Sequence, residues 1–430
     1  MNRAGLIIFG DFIAFWISFI VILLIRFGAP GSQAAISTHI LPFFILYLSW
    51  TLSFFLFGLY DLFNIKPTIP YLSRFAFAIL TCFVVGIFLF YFVSIFGISP
   101  KTNLLFQVIG FGLISIFIRR ITYTLFSKTI IRPVILIGSS QNINEIGDVI
   151  FNNPQLGLKI ISHTDDFKKA INDFSHTQNA IFIFEKIPES IEKENVLNLY
   201  KNNSEILNVA QAYEKYLGKI PVSYVNQSWI IENINIKENI IYTIMKKIVD
   251  IIFAVFTLIV TSPIVLVCSL FIYFYDKGPV IYKQERVGLN GEVFLLYKLR
   301  SMIVESETNG AVWSHKQDNR VTPIGKIIRK LHIDEIPQMI NIIKGDISVV
   351  GPRPERPEFV SSLEKIIPHY ELRHIIRPGF TGWAQIKYRY ANTIECSKEK
   401  FEYDLYYIKD KNIFIDFGII LRTIQIIFTH

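Results

Sequence analysis

Charged residues and cysteines are scarce in this sequence. Charged residues make up 18% of its 430 positions, against about 25% in an ordinary soluble chain, whereas 51% are hydrophobic and 15% aromatic. This balance argues against an ordinary soluble protein and is typical of a membrane protein. The three cysteines, Cys82, Cys268 and Cys396, lie far apart. Their spacing argues against a disulfide framework and against a cysteine-based zinc site.

Acidic residues are also in deficit. The chain has 43 Lys and Arg residues against 35 Asp and Glu residues, a formal net charge of +8. A positive chain suits a protein that rests on anionic lipid and binds anionic ligands. Nucleic acid would match the same charge, so the charge alone does not choose the partner. We expect membrane lipid and no nucleic acid, on the motifs described below.

Four apolar segments open the sequence, at residues 5–27, 40–59, 75–98 and 102–118. Each approaches the ~20 residues that a helix needs to cross a bilayer. Basic residues lie at the front, between the second and third segments, and after the fourth. The positive-inside rule therefore predicts that both ends of this bundle face the cytoplasm. We predict a four-helix transmembrane bundle over residues 1–128, with the first segment retained.

The composition changes over residues 130–240. Residues 134–138 and 180–184 are predicted to form buried strands among polar helical stretches, which indicates a small Rossmann-like α/β domain. The turn after the first strand begins at Gly138 and lacks the second and third glycines of a dinucleotide fingerprint. We therefore expect a degenerate domain with a structural or regulatory role, and a bound nucleotide remains the alternative.

A second long apolar run covers residues 251–275, 25 positions without a charge. Basic residues flank it on both sides, so both ends prefer the cytoplasm. Pro263 near its middle removes a backbone donor and bends a helix. We predict a re-entrant helix over about residues 246–276, bent at Ser262 and Pro263, with the Thr261 and Ser262 hydroxyls binding freed backbone groups. An ordinary fifth span is the alternative.

The chemistry-bearing residues lie in the rest of the chain, which we assign to one catalytic domain over residues 243–430. A helix is predicted to begin at Asp334, which would place Asp334 and Glu335 at a helix N-terminus. A simple N-cap is the alternative role. Basic residues suited to phosphate surround this pair in the sequence, and Gly351-Pro-Arg-Pro354 holds one of them on a stiff turn. They are Lys298, Arg300, Arg320, Arg329 and Arg353.

With these motifs the sequence resembles the bacterial sugar transferases that prime exopolysaccharide and related glycan assembly, the monotopic polyprenyl-phosphate phosphoglycosyl transferases in their large form. The matching motifs cover nearly the whole span from residue 246 to the end. They include Lys247-Ile-Val-Asp250, Thr261-Ser-Pro263, Tyr282-Lys-Gln-Glu-Arg-Val-Gly288, Lys298-Leu-Arg-Ser-Met302, Asp318-Asn-Arg-Val-Thr322, Ile333-Asp-Glu-Ile-Pro-Gln338, Val350-Gly-Pro-Arg-Pro354 and Arg377-Pro-Gly-Phe-Thr-Gly-Trp-Ala-Gln385.

The resemblance implies a mechanism. Asp334 matches the family's nucleophile and Glu335 its partner. Asp334 would attack the sugar-bearing phosphate of a UDP-sugar and release UMP, and undecaprenyl phosphate would then take the phospho-sugar from the aspartate. Mg²⁺ is implied, with Asp334 and Glu335 as its ligands. The residues implied to contact phosphate or substrate are Lys298, Arg300, Arg320, Arg329, Gln338 and Arg353.

The resemblance also implies a place in the cell. The protein would be a multi-pass protein of the bacterial cytoplasmic membrane, with its catalytic domain facing the cytoplasm. Ser262 and Pro263 match the bend of the family's re-entrant helix. A homodimer is an open expectation for the assembly. The sequence does not identify the sugar, although residues 355–359 and 388–394 are expected on the sugar side of the site.

Two rival functions stay open from the sequence. Membrane-bound nucleotide-sugar dehydratases also join transmembrane helices to a Rossmann-like domain, but they need a glycine fingerprint and a Tyr-x-x-x-Lys pair in that domain. No such pair falls inside residues 130–240. The other rival is a non-enzymatic membrane scaffold for polymer export, which would tolerate replacement of Asp334.

Overall fold

The computed structural model describes residues 3–92, 101–185, 193–234, 239–303, 320–388 and 393–428. The chain forms two compact units, Met1–Ala212 and Tyr213–His430. The division falls within a helix over Val209–Leu217. It therefore lies earlier in the chain than the predicted boundary near residue 240, and the segment that follows it packs within the second unit.

Long apolar helices open the first unit: α1 (Arg3–Leu56), α2 (Ile69–Phe92) and α3 (Lys101–Thr124). Gly28, with φ 68° and ψ 171°, breaks α1 into two apolar helices. Their shared core is rich in aromatic rings, among them Phe15, Phe43, Trp50 and Phe54. Within the described residues of the whole chain, five helices are long and apolar enough to cross a membrane. The protein is thus a membrane protein that also contains α/β structure.

A buried ion pair ties α1 to α3. The Asp11 carboxylate accepts hydrogen bonds from the Arg119 guanidinium and, at 2.6 Å, from the Ser115 hydroxyl. Arg119 also donates to the Leu59 carbonyl at 2.6 Å. A charge placed among apolar helices is costly unless it is paired, and here each charged group has its partner in the neighbouring helix.

A four-stranded parallel sheet completes the first unit. Its strands are β1 (Arg132–Ile137), β2 (Leu158–Thr164), β3 (Ile181–Phe184) and β4 (Glu205–Asn208), in the order β2-β1-β3-β4. The helices α4 (Gln141–Asn152), α5 (Phe167–Phe174) and α6 (Lys193–Lys201) connect them. The predicted strands at 134–138 and 180–184 are confirmed as β1 and β3. Strands β2 and β4 were not predicted, because neither contains a run of fully buried residues.

The turn between β1 and α4 holds a carboxylate of the chain itself. The Ser140 amide at the start of α4 donates to Glu185 Oε2 at 3.2 Å. In dinucleotide-binding domains this helix N-terminus binds the pyrophosphate. Gly138, at φ 130°, lies so close that an added Cβ would be 2.6 Å from Glu185 Oε2. The geometry gives no support to a nucleotide cofactor or to a dehydratase site here.

The second unit is built around α9 (Ile240–Asp276), preceded by α7 (Val209–Leu217) and α8 (Gln227–Asn233). It contains an antiparallel hairpin, β5 (Ile281–Val287) with β6 (Val293–Leu299), and a parallel pair, β7 (Ser348–Val350) with β8 (Gly379–Thr381). The remaining helices are α10 (Pro323–Lys330), α11 (Gln338–Lys344), α12 (Pro357–Leu363), α13 (Trp383–Lys387), α14 (Ile394–Asp410) and α15 (Ile413–Phe428). Ala254, Met339, Val349, Tyr407 and Ile419 lie in its main core.

Helix α9 contains Pro263, and side-chain hydroxyls next to the proline form hydrogen bonds with the helix backbone. Pro263 has no amide hydrogen, so the Ile259 carbonyl loses its usual helical partner. The Ser262 hydroxyl donates to that carbonyl at 2.8 Å, and the Thr261 hydroxyl donates to the Thr257 carbonyl at 2.6 Å. The expectation that these hydroxyls serve freed backbone groups is confirmed for Ser262.

Both halves of α9, before and after Pro263, pack against other elements of the second unit. Before the proline, the Asp250 carboxylate accepts hydrogen bonds from the Ser348 hydroxyl at 2.8 Å and the Val349 amide at 3.0 Å. After the proline, Ile272 is buried in one cluster with Leu299 and Ile328. Between these contacts the side chains of α9 are largely exposed, for example those of Ile259, Val260 and Leu266.

Candidate active site

A cavity of about 560 Å³ lies in the second unit, against the β5–β6 hairpin. Its walls come from the inner face of the hairpin, the end of α10, the turn before α11 and the Gly351–Pro354 turn. Five of the six predicted phosphate-binding residues line it together with Asp334; the five are Lys298, Arg300, Arg320, Arg329 and Arg353. The sixth, Gln338, is buried and does not line this cavity.

Asp334 lies in a short 3₁₀ turn, Ile333–Glu335, and helix α11 begins only at Gln338. The prediction that a helix begins at Asp334 is therefore wrong, because Pro337 takes the N-cap position and the chain before it is a tighter turn. His332, with φ 54°, reverses the chain direction just before the turn. The other predicted helix start is confirmed: Thr322 caps α10, its hydroxyl accepting from the Gly325 amide at 2.9 Å, and Pro323 is the first helical residue.

Together with Glu355, the Asp334 carboxyl group is one of two acids among the described residues that line the cavity. It is only 8% exposed, and burial together with the neighbouring Glu335 carboxylate raises its pKa above the usual aspartate range. The positive charges of Lys298 and Arg329 act in the opposite direction and favour the ionised form. A buried carboxylate beside several cations can be an effective nucleophile, because little water has to be removed from it.

Glu335 has a different environment from its neighbour in the chain. Its Oε1 atom accepts a hydrogen bond from Lys298 Nζ at 3.0 Å and one from Arg353 Nη2 at 2.5 Å. The Glu335 side chain is 12% exposed and does not line the cavity. Although burial raises its pKa, the two cations outweigh burial and hold the pKa far below the usual glutamate range. Glu335 therefore stays ionised and holds the two cations in place.

The turn that carries Arg353 is held by backbone contacts. The Gly351 amide donates to the Thr381 carbonyl at 2.9 Å, and a Cβ added at Gly351 would lie 2.5 Å from the Arg377 carbonyl. Only glycine fits so close to another backbone. The buried Arg373 supports the same turn, since its Nη2 donates to the Arg353 carbonyl at 2.9 Å and to Asp404 at 3.1 Å.

Several cavity residues were not assigned a role from the sequence, and three of them occupy alternate positions of β5. Tyr282, Gln284 and Arg286 alternate along β5 and so project from one face of the strand into the cavity. Arg286 donates to Gln284 Oε1 at 2.6 Å and to the Pro354 carbonyl at 2.9 Å. The alternation of these polar residues in the Tyr282–Gly288 motif could have indicated a common face, but a strand was not predicted there.

Of the other residues predicted from the sequence, some line the cavity and others do not. Glu355 and Phe359, from the expected sugar side, line the cavity. The second expected sugar segment falls partly on residues 389–392, outside the described residues. Ser262 and Pro263 lie on α9 and do not line the cavity.

The acidic groups of the cavity limit how a metal could bind. In the described parts of the chain, no three His, Cys, Asp or Glu side chains gather closely enough to hold an ion by themselves. Mg²⁺ does not need such a set, because it is commonly bound by one or two carboxylates together with substrate phosphates and water. Asp334 fits that role. Glu335 fits less well as a ligand, because its Oε1 already accepts from two cations.

Comparison with known proteins points to one family. The family model described as bacterial sugar transferase matches residues 241–430. A putative undecaprenyl-phosphate N-acetylgalactosaminyl 1-phosphate transferase of Bacillus subtilis is 49% identical over 132 residues, which cover 31% of this chain and 74% of that protein. The UDP-N-acetylgalactosamine-undecaprenyl-phosphate N-acetylgalactosaminephosphotransferase of Aeromonas hydrophila is 38% identical over 224 residues, 52% of each chain.

A third relative carries a different sugar in its name. The UDP-glucose:undecaprenyl-phosphate glucose-1-phosphate transferase of Klebsiella pneumoniae is 39% identical over 188 residues, which cover 43% of this chain and 40% of that protein. The chain thus spans about half the length of the Aeromonas relative and less of the Klebsiella one. The match to the family model falls within the unit that contains the cavity.

Proposed function

The chain belongs to the bacterial sugar transferase family, and we propose that it transfers a sugar 1-phosphate from a UDP-sugar to undecaprenyl phosphate. UMP is released, and the product begins the assembly of an exopolysaccharide or related glycan. One observation carries the proposal: the buried Asp334 carboxyl lines a cavity together with Lys298 and six arginines. That combination suits attack on a diphosphate, since cations offset the negative charge that would otherwise repel the carboxylate.

The reaction consists of two displacements at one phosphorus atom. A carboxylate oxygen of Asp334 forms a bond to the sugar-bearing phosphorus, and the bond from that phosphorus to the bridging oxygen breaks. The electron pair leaves with UMP. A phosphate oxygen of undecaprenyl phosphate then attacks the same phosphorus, the bond to Asp334 breaks, and the carboxylate is restored. Dividing the transfer in this way lets a water-soluble donor leave before a lipid acceptor reacts.

Glu335 acts as a positioning residue in this scheme. By accepting from both Lys298 and Arg353, it fixes two cations at the cavity wall before substrate arrives. Cations fixed in advance stabilise developing charge without reorganising during the reaction. Arg300, Arg320 and Arg329 line the same cavity and would contact the remaining phosphate oxygens.

Magnesium fits the site through Asp334. When bound, Mg²⁺ would neutralise part of the charge on the substrate's phosphate oxygens. Asp334 would hold the ion, while Lys298 and Arg353 remain with Glu335.

The contacts of α9 with the rest of its unit support a re-entrant helix and catalysis on one side of the bilayer. Asp250 contacts β7 before Pro263, and Ile272 contacts β6 and α10 after it. A helix that crossed the ~30 Å hydrocarbon core would place these ends on opposite sides of the membrane. A re-entrant helix keeps both ends on one side. UDP-sugars are cytosolic, so that side would be the cytoplasmic face of the bacterial inner membrane.

The reaction is tested by measuring UMP release from purified full-length protein in detergent, with Mg²⁺, undecaprenyl phosphate and a panel of UDP-sugars. The panel includes UDP-N-acetylgalactosamine and UDP-glucose, because relatives are named for both sugars. We expect UMP release with at least one donor, and none with Asp334→Asn protein that still unfolds cooperatively. Release of UMP by Asp334→Asn protein would overturn the mechanism, and folded wild-type protein inactive with every donor would overturn the proposed reaction.

A further inference from the structure

A second cavity, of about 380 Å³, lies in the same unit and shares no lining residue with the first. Its walls come from the first turns of α9, from Leu289 and Asn290 after β5, from β7, and from the loops that carry Arg377 and Lys411. Because Asp334 does not line it, a ligand held there could not receive the phospho-sugar from that residue. The cavity is therefore not part of the proposed reaction.

The second cavity is basic. Four cationic side chains line it: Lys246, Lys247, Arg377 and Lys411. The Lys246 ammonium donates to Asp416 at 2.8 Å and to the Val350 carbonyl at 3.0 Å. We therefore treat it as part of the cavity wall and not as a main ligand contact. Lys247 and Arg377 have exposed side chains, and neither forms an ion pair with a described residue.

Acidic groups nearby offset only part of these charges. Asp250, the acidic residue in the cavity lining, accepts from Ser348 and Val349. Asp416 accepts from Tyr407 at 2.6 Å and from Tyr242 at 3.0 Å in addition to Lys246. Both carboxylates are thus held by the protein's own groups. Because four cations stand against these two carboxylates, the cavity keeps a positive charge that suits an anion.

The position of the cavity on α9 indicates what kind of anion it meets. Lys246 and Lys247 lie within two turns of helix before the uncharged run of residues 251–275, so in the proposed re-entrant arrangement the cavity lies close to the point where α9 enters the membrane. The exposed side chains of Ile241 and Phe414 line a neighbouring apolar cavity that shares Tyr242 and Lys411 with it, and Ile244 and Ile248 are exposed on the same turns of α9. A phosphate group in the cavity would therefore be next to a surface that acyl chains can cover.

We propose that this second cavity binds the phosphate headgroup of an anionic membrane phospholipid, with Lys247 and Arg377 as its main contacts. The bound lipid holds the start of α9 at the headgroup level and is not consumed. Basic residues near an anionic bilayer gain most where several of them converge on one phosphate. A free inorganic phosphate would meet the same charges but would leave the apolar side chains uncovered.

Native mass spectrometry of the full-length protein in detergent tests the proposal, because it counts bound lipids. The probes are phosphatidylglycerol, phosphatidylcholine and inorganic phosphate, each titrated without UDP-sugar. The test variant is Lys247→Gln with Arg377→Gln. The matched control is Lys365→Gln with Lys398→Gln, which removes the same charge from two exposed positions that line neither cavity.

We expect wild-type protein and the control to bind one phosphatidylglycerol molecule tightly and phosphatidylcholine weakly. The test variant should bind phosphatidylglycerol about 25-fold more weakly, since each of the two lost cations weakens binding near a membrane surface about fivefold. Equal phosphatidylglycerol binding by the test variant, or an equal loss in the control, would overturn the site. Equal affinity for phosphatidylcholine would mean that the cavity recognises acyl chains and not the anionic headgroup. Displacement of the lipid by inorganic phosphate would mean that the cavity binds soluble anions. None of these readings depends on transferase activity.

Discussion

The Glu335 carboxylate lies 2.5 Å from the Arg353 guanidinium, and through this contact two consecutive acidic residues acquire different tasks. Glu335 is held ionised by Arg353 and Lys298, whereas burial raises the pKa of Asp334 at the wall of the cavity. Two neighbouring carboxyl groups with oppositely shifted pKa values are a common arrangement in active sites. One of them prepares the site, and the other is available to react.

Replacing Glu335 should weaken catalysis without abolishing it. In Glu335→Gln protein, Lys298 and Arg353 lose the negative charge that they share, and a neutral amide oxygen holds them at the cavity wall less firmly. We expect kcat/KM for UMP release to fall about a hundredfold. The free energy of unfolding should fall by about 2 kcal/mol, as for other hydrogen bonds to charged groups. Kinetics and thermal unfolding in detergent measure the two effects. If folded Glu335→Gln protein were as inactive as Asp334→Asn protein, Glu335 would have to act directly on the substrate.

The pH dependence of the reaction should report on Asp334. The nucleophile must be ionised, and its pKa is raised, so the acid limb of kcat/KM should lie above the ~3.9 of an ordinary aspartate. Lys298 favours the ionised form, so Lys298→Gln should move this limb to still higher pH. Lys344→Gln is the control, because Lys344 is exposed and does not line the cavity. An acid limb that stays in place or moves down in Lys298→Gln protein would contradict the assignment of Asp334.

Cysteine labelling distinguishes a re-entrant helix from a fifth span. Glu292 is exposed in the turn between β5 and β6, after α9, and it has an ordinary backbone conformation. Its neighbour Asn290 is a poorer position, since its φ of 55° disfavours most side chains. In a background without the native cysteines, Glu292→Cys should resist an impermeant thiol reagent in intact cells and react after permeabilisation. Labelling in intact cells would mean that α9 crosses the membrane.

The backbone adjustment at Pro263 can be measured by a double-mutant cycle. Ser262→Ala removes the hydroxyl that serves the Ile259 carbonyl, and we expect it to lower the free energy of unfolding by about 1 kcal/mol. In a Pro263→Ala background, an amide at position 263 can serve this carbonyl, so the same change should cost close to nothing. Thermal unfolding of the four proteins in detergent gives the coupling energy. Equal costs in both backgrounds would show that the hydroxyl does not compensate for the proline.

Local patterns in the sequence predicted much of the framework. Buried runs predicted β1 and β3, and the Thr322-Pro323 pair predicted the start of α10, because each signal lies within a few residues. Strand β2 was missed because its residues are alternately half-buried and exposed. The helix expected at Asp334 begins later, since a 3₁₀ turn and Pro337 intervene, and sequence spacing alone did not distinguish the two turn geometries.

The arrangement of the candidate site depends on distant contacts. The sequence indicated which acids and cations belong together, and five of the six predicted phosphate-binding residues line one cavity. It did not indicate that Glu335 accepts from Lys298 and Arg353, because these partners come from β6 and the Gly351–Pro354 turn. Tyr282, Gln284 and Arg286 were missed for the same reason: their common face exists only once β5 pairs with β6.

The most direct test of the mechanism is to look for the phospho-sugar on Asp334. Full-length protein is incubated with Mg²⁺ and its UDP-sugar in the absence of undecaprenyl phosphate, then analysed by intact-mass and peptide mass spectrometry. The mechanism predicts one equivalent of UMP, a mass increase of one sugar phosphate located at Asp334, and loss of that mass when undecaprenyl phosphate is added. UMP formation that requires undecaprenyl phosphate, with no adduct on Asp334, would instead mean a direct transfer between the two substrates.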